Sequence, residues 1–95
     1  MTTDLDEITK IIVPILKRHR ATRAGLFGSC VRGEMRHDSD VDVLVSLDDS
    51  LSLLDFIGIK LELEDALGRK VDLVEYDTIK PLLRERILSE QVVIL

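Results

Sequence analysis

Asp40 and Asp42 open the run Asp40-Val41-Asp42-Val43-Leu44-Val45, in which carboxylates first alternate with valines. A period of two is the signature of a half-buried strand. Both carboxylates then share one face, and Val41 and Val43 point to the other. Two like charges on an otherwise apolar strand repel and raise each other's pKa. Burying either is costly unless something compensates. A divalent cation compensates, since hard oxygen ligands at this spacing hold Mg²⁺ and leave its other positions to water and phosphate oxygens. The chain must therefore build a sheet around this segment and bring a ligand to the start of the strand.

The flanking sequence supplies the rest of that sheet. Ile8, Ile11, Ile12, Ile15 and Leu16 recur at helical spacing, which predicts a helix from Asp4 to His19 that Pro14 kinks or restarts. Arg23 to Phe27 reads as a short strand and Val31 to Met35 as a helical turn. Val41 to Leu47 reads as a second strand. Ser52 with Asp55 resembles a capping box at the head of a long helix that runs to Leu67, with Gly68 as its C′ residue. Leu54, Ile57, Leu61 and Leu53 are expected to face inward on it. Lys70 to Tyr76 reads as a third strand. Thr78 to Leu88 forms a last helix with Pro81 in its first turn and Ile79, Leu82, Leu83 and Ile87 as its apolar residues. Val92 to Leu95 completes the series as an edge strand. The order α-β-α-β-α-β-α-β predicts one compact α/β or α+β domain over residues 1–95.

Composition narrows the function. With 45% hydrophobic but only 3% aromatic residues among 95, the core must be Ile, Leu and Val. A net charge of −5 excludes a passive nucleic-acid binder, which is normally basic. It leaves open a polyphosphate substrate bridged by metal ions. The single cysteine, Cys30, forms no internal disulfide, which suits a reducing cytoplasm. No signal peptide is expected, and no apolar run approaches the roughly 20 residues of a membrane span.

A second group of residues lies between the first two strands. Gly28 and Ser29 follow a strand and precede a helical turn, where a glycine lets the backbone approach a ligand and free N–H groups favour phosphate. The Ser29 hydroxyl is a further donor, Gly33 allows a second tight approach, and Arg32 and Arg36 add positive charge. Asp72 sits in the third strand in a similar apolar context, Lys70-Val71-Asp72-Leu73-Val74. If that strand lies beside the second, Asp72 completes a three-carboxylate cluster able to hold two metal ions around a phosphoryl displacement. Each feature alone is commonplace. A Gly-Ser pair is usually a turn, Asp often ends an exposed strand, Ser39 suits a turn and Asp38 suits the surface. Their conjunction is what points to chemistry.

That conjunction resembles the nucleotidyltransferase superfamily related to DNA polymerase β. More closely it resembles the minimal nucleotidyltransferase (MNT) domains, the antitoxin halves of HEPN–MNT toxin–antitoxin pairs. The family pattern is matched without gaps by Gly28, Ser29 and Gly33, then Asp38, Ser39, Asp40 and Asp42, then Asp72. The family's frequent aromatic after the serine is replaced by Cys30. The resemblance implies a nucleotidyltransferase fold, a small mixed sheet with helices packed on one side. It implies transfer of AMP from ATP to a tyrosine of a HEPN RNase toxin, which is thereby silenced in a hetero-oligomeric encounter. It also implies that Asp40 and Asp42 bind Mg²⁺, two ions in all, that Asp72 shares the catalytic metal, and that Ser29 and the Gly28 backbone hold the β- and γ-phosphates. Two other readings compete: an antitoxin that acts by binding alone, and a nucleotidyltransferase acting on RNA or a small molecule.

Overall fold

The computed structural model describes residues 4–34 and 39–95. Met35, Arg36 and Asp38, named above, lie outside them. Helix α1 (Asp4–Arg18) leads into strand β1 (Arg23–Phe27), and the short helix α2 (Ser29–Arg32) precedes β2 (Val41–Ser46). Helix α3 (Leu53–Leu67) then connects to β3 (Val71–Glu75), a 3₁₀ turn (Tyr76–Thr78), helix α4 (Pro81–Glu90) and β4 (Val92–Val93). The strands form one sheet in the order β3-β2-β1-β4. β1 runs antiparallel to β2 and to β4, whereas β2 and β3 are parallel. A parallel pair needs a crossover connection, and α3 supplies it.

The alternation in β2 separates two faces. Val41, Val43 and Val45 join Ala24, Leu26, Val71 and Leu73 against Ile8, Ile12 and Leu16 of α1 and Ile59 and Leu63 of α3. The two long helices thus share one side of the sheet, as expected. On the other side a smaller cluster gathers Leu44, Tyr76 and Ile79, with Phe27, Val74, Ile87 and Leu88 packed against it. Asp42 lies on this second face, one residue from the valines in sequence and across the sheet from them in space.

Most elements begin and end where local chemistry puts them. The Ser52 Oγ accepts from the Asp55 N–H at 3.1 Å, and an Asp55 carboxylate oxygen accepts from the Ser52 N–H at 2.9 Å, closing the expected capping box. Ser52→Ala is expected to lower stability by about 1 kcal/mol, read as a shift of the urea midpoint with an unchanged slope. Gly68 ends α3 in the left-handed region at φ 68. Helix α1 continues through Pro14, whose position is exposed, without restarting. α2 begins two residues earlier than expected, at Ser29, and closes on Gly33 at φ 74.

One expectation is overturned. Leu53, Leu54, Ile57 and Leu61 do not face inward; they are exposed, Leu54 by 80%. Ile59 and Leu63 are buried instead, with Phe56 and Leu67 packed beside them. Residues 54, 57 and 61 form one helical stripe and 56, 59, 63 and 67 another on the opposite side. Both are apolar, so periodicity alone does not choose between them; the crossover geometry does. In α4, Leu82 is likewise almost wholly exposed, and no side chain of that helix is fully buried.

Candidate active site

Two five-residue runs build the site. Val41-Asp42-Val43-Leu44-Val45 lies parallel to Val71-Asp72-Leu73-Val74-Glu75 in position-for-position register. Asp42 and Asp72 are therefore direct cross-strand partners, on neighbouring strands about 4.8 Å apart, and their side chains leave the same face. Asp40 precedes β2 on the same side of its period. Asp42 is half-buried, while Asp40 and Asp72 are exposed.

Crowding shows in the titration of Asp42, whose carboxyl is pushed up to about 6. Burial is the main cause, followed by the charges of Asp72 and Asp40, with Glu90 adding to them and the Arg32 cation opposing. Three acidic neighbours and one basic one thus converge on a single carboxyl group.

The first hairpin brings the glycine turn to the same point. Phe27 pairs with Asp42 across β1 and β2, so Gly28, the next residue, leaves the sheet directly beside that carboxylate. Gly28 adopts φ 77 and ψ −148, a region that side-chain-bearing residues avoid. A Cβ on Gly28 would overlap the Asp42 carboxylate. The turn is held by its own backbone: the Gly28 carbonyl accepts from the N–H groups of Val31 at 3.1 Å and Arg32 at 3.2 Å. Ser29, partly buried, follows at the head of α2. Gly33 serves conformation, since a Cβ there would meet nothing within 4 Å.

Two residues of this neighbourhood escape a reading of the sequence. Glu90, the last residue of α4, accepts from the Gly28 N–H at 2.7 Å and from the Arg32 guanidinium at 2.8 Å through one oxygen. Arg32 also pairs with Glu34. Nothing local marks Glu90, which lies 62 residues downstream of its glycine partner. Cys30 is buried beside Asp42, and burial followed by the Asp42 charge pushes its thiol up. That direction disfavours the thiolate, so Cys30 acts as packing rather than as a nucleophile.

The oxygen-only donor pair of Asp42 and Asp72, with Asp40 next to it, has the chemistry of a hard-cation site. The raised Asp42 carboxyl carries the same message, because a cation would offset the burial and repulsion that disfavour its ionised form. Among the described residues, no three His, Cys, Asp or Glu side chains are already gathered into a ligating cage. Asp42 and Asp72 are thus paired, while the three carboxylates together do not form a ligating group. A half-open cavity of about 450 Å³ lies toward the other end of β2 and β3, lined by Leu47, Asp48, Leu53, Phe56 and Glu75 among others. None of the carboxylates or glycines of the site lines it. Among the described residues, no helix is long and apolar enough to cross a membrane.

Comparison with known proteins agrees with this geometry. Residues 10–95 match the family model described as polymerase beta, nucleotidyltransferase. A Methanocaldococcus jannaschii protein, MJ0435, whose name as a protein adenylyltransferase is provisional, is 46% identical over 92 residues, covering 97% of this chain and 99% of its own. The protein adenylyltransferase MntA of Thermococcus cleftensis is 40% identical over 92 residues, covering 93% of each. The fold also resembles a solved complex of a tri-AMPylated Shewanella oneidensis HEPN toxin with its MNT antitoxin. There the TM-score is 0.74 at 21% identity, covering 95% of this chain and 71% of that one. With a family model spanning nearly its whole length and relatives this similar end to end, the chain belongs to the polymerase β-type nucleotidyltransferase family.

Proposed function

We propose that this chain is a magnesium-dependent protein adenylyltransferase that moves AMP from ATP to a tyrosine of a HEPN-type toxin and so acts as its antitoxin. The observation that carries the reading is the register of Asp42 against Asp72, with the Gly28 turn folded over Asp42. The names of the two similar proteins support adenylyl transfer to protein. The complex with the tri-AMPylated HEPN toxin supports the class of partner. A cytoplasmic setting suits the unpaired Cys30 thiol.

Each residue then has a task. Asp40 and Asp42 would hold the metal, with Asp72 as a further ligand. Magnesium, when bound, supplies charge neutralisation for the attacking and leaving oxygens. The Gly28 N–H and the Ser29 hydroxyl donate to phosphate oxygens, and Arg32 adds a cation. The acceptor tyrosine, with an ordinary pKa near 10, needs a base at pH 7, and Asp72 takes its proton. The tyrosine oxygen bonds to the α-phosphorus as the bond to the β-phosphate oxygen breaks, and pyrophosphate leaves. Little covalent chemistry is asked of the protein; positioning and charge do most of the work.

The test is to incubate the chain with ATP labelled at the α-phosphate, Mg²⁺ and a HEPN partner. Label on the partner is expected, with none from an Asp40→Ala/Asp42→Ala variant. No label, together with full toxin inhibition by that variant, would establish a binding-only antitoxin instead. Asp72→Asn is expected to lose transfer while keeping most nucleotide binding, because the grip rests on the other two carboxylates. Equal loss of both in calorimetry and in the label assay would contradict that division of roles.

A further inference from the structure

The phosphate seat assigned above already contains an anion that belongs to the chain. One oxygen of Glu90 receives both the Gly28 N–H and the Arg32 guanidinium. A carboxylate oxygen and a non-bridging phosphate oxygen offer the same chemistry to those donors, a negative acceptor with no proton to give. The two cannot use the donors together.

We propose that Glu90 is an internal competitor for the triphosphate: its carboxylate occupies the Gly28–Arg32 donors in the nucleotide-free chain and must swing away for ATP to bind. This rests on the nucleotidyltransferase reading and adds to it the residue that sets nucleotide affinity.

Three observations favour a side chain that is held but ready to leave. Glu90 is a further negative charge near Asp42, so these two carboxylates repel. Among the described residues, the Gly28 N–H and the Arg32 guanidinium, which the substrate would also use, offset that repulsion. The Glu90 side chain is itself 20% exposed, so it has a path to solvent without movement of the helix. Finally, α4 and its junction with β4 are anchored elsewhere: Arg84 donates to the Tyr76 carbonyl at 2.8 Å, and the Tyr76 hydroxyl donates to the Gln91 side chain at 2.6 Å. The helix can stay in place while the Glu90 side chain rotates outward, which frees the Gly28 N–H and the Arg32 Nη1 for phosphate while Arg32 keeps its pairing with Glu34. A seat closed about nine-tenths of the time weakens apparent binding about tenfold.

The experiment is calorimetric titration of the whole chain and its Glu90→Ala and Glu90→Gln variants with a non-hydrolysable ATP analogue and Mg²⁺. Thermal melts of each protein establish that it is folded. Glu90→Ala is expected to bind about tenfold more tightly than the unaltered chain, with Glu90→Gln between them because a neutral amide still accepts weakly. Unaltered or weaker binding by both variants, with the parent chain binding normally, overturns the proposal and leaves the proposed function intact; Glu90 would then be a residue that shapes the seat. No nucleotide binding by any of the three overturns both. Binding by the Ala variant where the parent shows none supports both.

Discussion

Asp42→Asn is expected to abolish adenylyl transfer while making the metal-free fold more stable. The loss follows from the place of Asp42 at the centre of the carboxylates. If Asp42 holds the metal as proposed, its removal forfeits several kcal/mol of charge stabilisation, or at least about a thousandfold in rate. The gain follows from titration. The Asp42 carboxyl is pushed up to about 6, first by burial and then by Asp72 and Asp40, whereas an unfolded chain leaves it near the ordinary 3.9. Between those values the folded state binds more protons than the unfolded one, so stability falls as pH rises. The contribution is whole below about pH 4 and gone above about pH 6. At neutral pH the ionised carboxylate is therefore a liability of the empty site. The shift is worth about 1–2 kcal/mol once the partial exposure of Asp42 is discounted for solvent screening. Asparagine keeps the shape and removes the charge. In a chelator-containing buffer at pH 7.5 the variant should melt about 4–8 °C higher, and at pH 4 the two proteins should melt together. Other titrating groups are common to both, so the difference isolates Asp42. Equal melting at pH 7.5 would mean that the carboxylate is not crowded in solution.

Local patterns of the site could be read in the chain, and the meetings of distant segments could not. Asp42 and Asp72 were legible as partners because each is the second residue of a run beginning with valine and continuing apolar, and parallel register aligns such runs residue for residue. The strands to within a residue or two of their ends, the Ser52–Asp55 box and the Gly68 cap were legible because turn and cap chemistry acts over a few residues. The buried face of α3 was not, since Leu54, Ile57 and Leu61 are as apolar as Ile59 and Leu63, and only the sheet decides which set it covers. Glu90 was invisible for the same kind of reason. Its partners are brought to it by the whole path of the chain from β1 through α4, and the segment Leu88-Ser89-Glu90-Gln91 carries no mark of that journey. What a sequence displays are spacings; what it hides are meetings between distant segments that no periodicity records.

Gly28→Ala is expected to cost about 3 kcal/mol or more and to remove transfer, and about 1–2 kcal/mol of that cost should depend on Asp42. Two effects are superposed. The backbone conformation at φ 77 and ψ −148 belongs to a region populated almost only by glycine, which costs about 1–3 kcal/mol for any other residue. The added methyl would also stand inside the Asp42 carboxylate, forcing that group out of its place opposite Asp72. The two effects separate in a double-mutant cycle. Asp42→Ala deletes the carboxylate and leaves only the Asp42 Cβ, 3.4 Å from the new methyl, an ordinary contact. In that background Gly28→Ala should cost only the backbone part, so the pair should be non-additive by about 1–2 kcal/mol. Urea unfolding of the four proteins in metal-free buffer supplies the numbers. Additive costs would mean that the turn tolerates a side chain by moving away from β2, and that the carboxylate does not dictate glycine. Coupling of the expected sign would tie the glycine of the turn to the aspartate of the strand as one steric unit, in which the closeness of the turn backbone to the Asp42 carboxylate leaves no room for a single carbon.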